Sequence, residues 1–266
     1  MKLVKQDKLN CLQANWASAP NLVAGVTTRN GGVSRAPFNS LNLGFNTEDP
    51  RHNVEGNLAT FTHAFGIVQR QLLMVKQVHG CDIVVVDHKN YDVSHFQDVE
   101  ADAIVTNQPD LMLGITVADC YPILIFDPQQ RVAAVVHTGW RGAAQGIVGA
   151  TIASMQREFS CDPAELQVTV GPGISKEFYV VGKEVRDAFR SPESTGHWKE
   201  ISTEVELGQW QVDLRQSCVM QLQEAGVKNS NCDISELCTY KNRDMLFSYR
   251  RDKGQTGRQM AYIMFS

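Results

Sequence analysis

The chain has 266 residues, of which 43% are hydrophobic and 20% charged, and a formal net charge of −4; this is the composition of an ordinary globular protein. The charge provides no electrostatic footprint for nucleic acid or an anionic membrane, so any anion site has to be local. No apolar run approaches the roughly 18–20 residues of a membrane span, and the opening MKLVKQDKLNCLQANW lacks an apolar signal segment, so the expected compartment is the cytoplasm. Seven cysteines at irregular spacings, with no CxxC pair, argue against both a secreted disulfide framework and a zinc ribbon.

In chain order, LVAGVTT (22–28) reads as the first strong strand. The Gly-rich turn RNGGVS and the polar loop PFNSLNLGFNTEDP follow, too rich in turn formers for regular structure. Val54, Leu58, Phe61 and Phe65 have helical spacing, with Gly66 as the stop. LLMVKQVH (72–79) and DIVVVD (82–87) flank Gly80-Cys81 as an expected hairpin. Four β-like segments come next: ADAIVTN, MLGITVAD, YPILIFD and RVAAVVH. Asp127-Pro128-Gln129-Gln130 is expected to turn between the last two. Residues 142–159 predict one helix, 166–174 a strand running into Gly-Pro-Gly, and 182–190 and 213–227 two further helices, the second capped by Gly226. The tail LFSYRR…GRQMAYIMF is expected to form a final pair of strands. Hairpins mixed with well-separated helices favour an α+β fold with mixed sheets, organised as a single domain over 1–266.

Three apolar segments end in a residue able to bind metal or act as a nucleophile: His79 in KQVHG, Cys120 in VADCYP and His137 in VVHTGW. Strand ends hold a side chain rigid at its base and open at its tip. Two imidazoles and a thiolate suit catalytic zinc, with a fourth position open. Each of the three is equally the kind of residue that fills a core, cysteine as a small hydrophobe and histidine as a hydrogen-bonded strand end.

Arg141 sits between Gly139 and Gly142 at the start of a helix, where backbone N–H groups attract anions and a guanidinium adds bidentate contacts. Arg29 follows a strand and precedes NGG; each of the two arginines is open between an anion ligand and a surface residue beside a Gly-rich turn. GWRG lacks the Lys-Ser/Thr end of a Walker loop, which disfavours ATPase chemistry. Trp140 is open between a purine platform and core packing. Asp119 is open between a role beside Cys120, as partner or general base, and a plain loop aspartate.

VTTRNGGVS, FNSLNLG, KQVHG, ADAIVTN, ITVADCYPILIFD, VVHTGWRG, GPGI and FSYRR…TGR occur in this order, and the chain resembles the family once called multicopper polyphenol oxidase or laccase-like. Its members are regarded as zinc-dependent purine nucleoside phosphorylases with adenosine deaminase activity. The resemblance covers residues 22 to 264. It implies a four-layer α/β/β/α sandwich and maps metal ligands onto His79, Cys120 and His137. It implies phosphorolysis of adenosine, inosine, guanosine and methylthioadenosine, with purine nucleosides and phosphate as partners. The chain itself is expected to be a monomer or small homo-oligomer. Arg29 and Asn42 match polar positions around the family's pocket. On this reading Cys120, His137, Arg29 and Asp119 are expected to carry catalysis, and Asn42, Arg141 and Trp140 to contact substrate. The chain departs from the family pattern at Phe178 and Lys241, where cysteines are usual.

The HxE…PCxxC signature of known zinc deaminases is absent, so any deaminase activity rests on a different scaffold. Three rival readings stand beside the zinc enzyme. The first is a Cys–His hydrolase with Cys120 as nucleophile and His137 as base. The second is a copper-dependent polyphenol oxidase, since thiolate and imidazole also suit copper; multicopper chemistry, however, needs many imidazoles, and His52, His63, His88, His95 and His197 show no HxH pairing. The third is a non-catalytic factor in cell-wall quality control.

Overall fold

A computed structural model describes residues 1–17, 21–87 and 92–266; His88 lies outside the described residues. The strands are β1 (Lys2–Gln6), β2 (Leu9–Gln13), β3 (Leu22–Thr27), β4 (Leu72–Leu73), β5 (Ile83–Val86), β6 (Ala103–Thr106), β7 (Met112–Val117), β8 (Tyr121–Asp127), β9 (Val132–Thr138), β10 (Gln167–Val170), β11 (Val180–Val181), β12 (Ser202–Glu206), β13 (Gln209–Val212), β14 (Cys232–Ile234) and β15 (Gln259–Phe265). The helices are α1 (Arg51–Ala64), α2 (Trp140–Gln145), α3 (Ile147–Phe159), α4 (Lys183–Phe189), α5 (Trp198–Ile201) and α6 (Leu214–Glu224). Two six-stranded mixed sheets run in the orders β1-β2-β3-β15-β7-β4 and β14-β10-β8-β9-β6-β5, and a small sheet β11-β13-β12 stands apart from both.

Side-chain alternation along the central strands builds the layers. In β8 and β9, Leu124, Phe126, Ala133 and Val135 face Val26, Ile115, Val117, Ala261 and Ile263 of the first sheet. Ile123, Ile125, Ala134 and Val136 face the opposite way, onto Ala143, Ile147, Ile152, Met155 and Leu222 of the helices. Leu58 and Phe61 of α1 cover the outer face of the first sheet through Met112, Met260 and Tyr262. The result is the four-layer α/β/β/α sandwich. Burial on both faces explains why β8 and β9 read as continuous apolar runs.

The β8–β9 hairpin turns as expected. Asp127 Oδ1 accepts the N–H groups of Gln129 and Gln130 at 2.8 and 3.0 Å, closing the turn through the side chain.

Three local expectations are corrected. The segments around Gly80 do not form a hairpin: β4 runs parallel to β7 in the first sheet, and β5 runs parallel to β6 in the second. The helix expected over 142–159 starts at Trp140 and breaks at Gly146, whose φ of 82° ends α2 and begins α3. The tail contributes one strand, β15. LFSYRR instead belongs to a loop wound around the Arg251 guanidinium, which donates to the carbonyls of Thr239, Tyr240 and Leu246.

Candidate metal centre and cleft

The chain passes between the two large sheets at two places that matter here. One crossing, from β4 to β5, carries Gln77, Val78, His79 and Gly80; the other, from β7 to β8, carries Ala118, Asp119 and Cys120. His137 stands near the end of β9, with Pro122 as its register partner, just before the chain enters α2. Both crossings and the strand exit therefore meet at one end of the sandwich.

There the structure brings His79, Cys120 and His137 together, with one ligand atom from each lying within 4.8 Å of the others. His79 is exposed, Cys120 half-buried and His137 buried. The two imidazoles meet edge to face, with centroids 4.7 Å apart. Gly139 makes room for the trio: a Cβ there would lie 2.9 Å from His79 Cδ2 and 3.3 Å from Cys120 Sγ. Two imidazoles, one thiolate and a cradle that only glycine leaves open fit a metal ion that takes nitrogen and sulfur donors.

Several locks hold the donors. Gln77 takes the place of a strand partner: its Nε2 donates to Thr116 O at 2.9 Å and its Oε1 accepts Thr116 N–H at 2.8 Å. His79 has a φ of 62°, a left-handed conformation uncommon outside glycine. Asp102, fully buried, lies 2.6 Å from His137 Nδ1 through Oδ1. Asp119, with a φ of 94°, accepts Thr239 Oγ1–H and Arg250 N–H, each at 2.6 Å. Its backbone carbonyl receives Ile174 N–H at 2.9 Å, and Tyr121 Oη donates to Ile174 O at the same distance. A Cβ on Gly173 would sit 2.7 Å from the Tyr121 ring, so the GPGI turn is a packing requirement beneath Cys120.

Burial alone would push the Cys120 thiol up; the His137 and His79 imidazoles outweigh it and hold the thiol below its usual value. For His137, burial opposes the charged form, but Cys120 and Asp102 outweigh it and raise the imidazole. In the metal-free chain these groups are therefore biased toward thiolate and imidazolium. Burial would raise Asp102, yet His137 and the backbone N–H groups of Gly80 and Val78 bring its carboxyl below the ordinary range.

A cleft of about 480 Å³ opens from the donors, its other walls including Trp140, Arg141, Tyr179, Tyr249, Arg250 and Arg258. Three guanidiniums thus border it. Arg141 lies on the Trp140 ring, 4.2 Å from its centroid, and donates to Glu184 at 2.8 Å. Trp140, half-buried, packs on the helical core while also lining the cleft. Arg250 donates to Val180 O and lies 5.2 Å from the Tyr179 centroid. Arg258 donates to the carbonyls of Thr256 and Gly257. Burial lowers its guanidinium, against the pull of Tyr249, Cys120 and Asp119.

Asp119, Trp140 and Arg141 therefore share the cleft with the three donors, whereas Arg29 and Asn42 do not line it. Arg29 borders a separate depression of about 700 Å³. Its guanidinium donates to Asn39 O and Arg243 O and stacks on Phe247 at 4.6 Å, stitching two loops together. Asn42 is fully buried; its Nδ2 donates to Asp49 at 2.9 Å and its Oδ1 accepts the N–H of Arg258 at 2.9 Å. It holds the backbone of a cleft arginine. The two positions that depart from the resemblance, Phe178 and Lys241, meet in space: Lys241 Nζ lies 5.4 Å from the Phe178 centroid and pairs with Glu177.

Asp102, Arg250, Arg258 and Gln77 have no role that the sequence alone assigns. Each lies inside one of the motifs that carry the family resemblance. A charged residue heading the wholly buried strand β6 was the one local signal for Asp102.

Fold and donors define a class: an α/β/β/α sandwich with a three-donor centre at the end where its sheets exchange chain. Residues 23–266 match the family described as multi-copper polyphenol oxidoreductase laccase, and the chain belongs to that family. It is 36% identical over 263 residues to the purine nucleoside phosphorylase YlmD of Geobacillus stearothermophilus, covering 96% of this chain and 93% of that one. It is 31% identical over 249 residues to the purine nucleoside phosphorylase YfiH of Escherichia coli, covering 93% and 96%. The crystal structure of YlmD from Geobacillus stearothermophilus superimposes with a TM-score of 0.86 at 31% identity, over 99% of this chain and 98% of that one. No helix among the described residues is long and apolar enough to cross a membrane.

Proposed function

We propose that the chain is a zinc-dependent purine nucleoside phosphorylase. Its substrates would be adenosine, inosine, guanosine and methylthioadenosine, with adenosine deamination as a second activity. The observation that carries the proposal is the His79–Cys120–His137 donor set at the head of an arginine-bordered cleft; relatives named as purine nucleoside phosphorylases over nearly the whole chain support it. The cleft volume of about 480 Å³ suits a small molecule.

His79, Cys120 and His137 hold the zinc. Zinc bound there supplies a Lewis acid and a fixed positive charge at the head of the cleft. Arg258, Arg250 and Arg141 supply charge to seat phosphate, a role first expected of Arg29 or Arg141. Trp140, Tyr179 and Tyr249 offer aromatic surface to the purine. Phosphorolysis forms a bond from a phosphate oxygen to the anomeric carbon and breaks the glycosidic bond, whose electron pair leaves with the base. The residues act chiefly by aligning phosphate and nucleoside and by stabilising charge.

A second reading draws on the Asp102–His137–Cys120 arrangement, which without metal is an orienter, base and nucleophile in series. Here Cys120 attacks and His137 takes the proton. The copper reading has less support: the chain has seven histidines, and among the described residues one group of three such donors is within reach of a single ion.

The test is to incubate pure zinc-loaded protein with adenosine and phosphate, following adenine, ribose 1-phosphate and inosine by chromatography. Phosphate-dependent adenine from wild type and none from Cys120→Ala supports the proposal; no product from wild type, or equal product from the variant, refutes it. A covalent adduct of Cys120 with a thiol-directed substrate analogue in metal-free active protein establishes the second reading instead.

A further inference from the structure

Asp102 is the last residue before β6, and its placement follows from register. Ala103 pairs with Val136, and His137 N–H donates to Asp102 O at 2.7 Å, which brings the aspartate beside the histidine that leaves β9. Among the described residues its carboxylate has four hydrogen-bonding neighbours. Oδ1 lies 2.6 Å from His137 Nδ1 and accepts His79 N–H at 3.0 Å. Oδ2 accepts Gly80 N–H at 2.6 Å and Val78 N–H at 3.2 Å. Three successive backbone N–H groups thus converge on one anion, an intramolecular nest. A carboxylate has about four lone-pair sites, so this one is fully used. The nest stabilises the crossing that presents His79, including its left-handed backbone.

We propose that Asp102 is the positioning residue of the centre, binding the His137 imidazole and the backbone that presents His79 through one carboxylate and leaving Nε2 as the His137 nitrogen available to a metal. The inference rests on the reading of His79, Cys120 and His137 as metal ligands. With Oδ1 as acceptor, His137 Nδ1 must carry the proton, so its metal-binding lone pair is on Nε2. An asparagine in this position has no good orientation. With its NH₂ toward His137 it donates to Nδ1 and drives the proton to Nε2, blocking the ligand atom. With its NH₂ toward Val78 and Gly80 it opposes two N–H donors and loosens the His79 loop. The isosteric change therefore attacks metal binding by either route.

Zinc affinity of Asp102→Asn is to be measured by competition with a chromophoric chelator, without nucleoside present. The Co²⁺-substituted visible spectrum serves as a second readout. The expected result is zinc binding about 10–100-fold weaker than wild type, with altered Co²⁺ bands. Asp49→Asn breaks another buried carboxylate, bonded to Ser34, Asn42 and Asn53. It serves as the control for destabilisation and is expected to lower the unfolding midpoint with zinc affinity unchanged. Wild-type affinity in Asp102→Asn overturns the proposal, as does an equal loss in both variants. Should Asp102→Asn fail to fold, long-range ¹H–¹⁵N spectra of zinc-loaded wild type decide. A proton on His137 Nδ1 supports the assignment, and a proton on Nε2 overturns it. A protein that binds zinc with this dependence on Asp102 and yet makes no ribose 1-phosphate refutes the proposed activity while leaving the assignment of Asp102 intact; a wild-type chain that binds no zinc overturns both.

Discussion

Gly139→Ala isolates the metal centre from the stability of the fold. Gly139 has φ −83° and ψ 174°, extended backbone that alanine adopts without strain. The added methyl would lie 2.9 Å from His79 Cδ2. Ordinary carbon contacts are about 3.5–4.0 Å, so His79 must retreat by roughly 0.6–1.1 Å. Metal sites tolerate ligand displacements of about 0.2 Å. Zinc affinity should therefore fall at least about tenfold, or about 1.4 kcal/mol. Stability of the metal-free chain should change by no more than about 1 kcal/mol, because the lost freedom of the unfolded state offsets a poorer helix cap. In saturable thermal melts, tenfold weaker binding removes about 1.4 kcal/mol of ligand stabilisation, roughly 3–6 °C of the zinc-induced rise in Tm. Chelator competition and calorimetry with and without zinc measure both quantities. Wild-type zinc affinity in this variant would refute the cradle argument, and an unfolded metal-free variant would refute the claim that the crowding is local.

Other outcomes follow from the same geometry. In metal-stripped protein the rate of Cys120 alkylation by iodoacetamide should rise with pH through an apparent pKa below the ordinary thiol value, because the lowered pKa puts the thiolate at lower pH, and zinc should protect it; an unshifted profile contradicts the His–Cys coupling. Arg258→Ala should raise KM for phosphate about 10–100-fold in steady-state assays, whereas Arg29→Ala should leave that KM near wild type and lower stability by about 1–3 kcal/mol in urea titrations, since its guanidinium holds carbonyls of two loops. Asp119→Asn should cost about 1–3 kcal/mol by the same method, because one amide NH₂ must face either Thr239 Oγ1–H or Arg250 N–H; turning of the Thr239 hydroxyl sets the lower end.

His79, Cys120 and His137 were legible as candidates because each stands where an apolar run of sequence meets a turn, although the structure puts His79 and Cys120 on crossings between the sheets and only His137 in a strand; the β8–β9 turn was legible because Asp127 sits where a side chain can close it. What sequence could not give was the sheet each run joins. An alternating or apolar run looks the same in either sheet, so β4 and β5 read as a hairpin although they belong to different sheets. The break at Gly146 was hidden in a helical pattern whose apolar spacing continues across it. The tie from Arg29 to Arg243 O could not be read from sequence because the two lie 214 residues apart in the chain. The role of Asp102, beyond the signal of a charge heading a buried strand, was hidden for a similar reason: its partners come from Val78 to Gly80 and from His137. Such roles are tertiary, and local spacing holds no trace of them. The motif FSYRR…TGR did carry Arg250 and Arg258, but its expected strand pairing obscured their convergence on the cleft.

A zinc ion held by His79, Cys120 and His137 is proposed to support nucleoside phosphorolysis in the cleft. Zinc titrated into the metal-stripped protein, with adenosine and phosphate present, tests it most directly. Ribose 1-phosphate and adenine should appear in equal amounts, with a rate that climbs to a break at about one zinc per chain, the stoichiometry of a mononuclear three-ligand site. A rate indifferent to zinc, or adenine released equally without phosphate, would contradict the account.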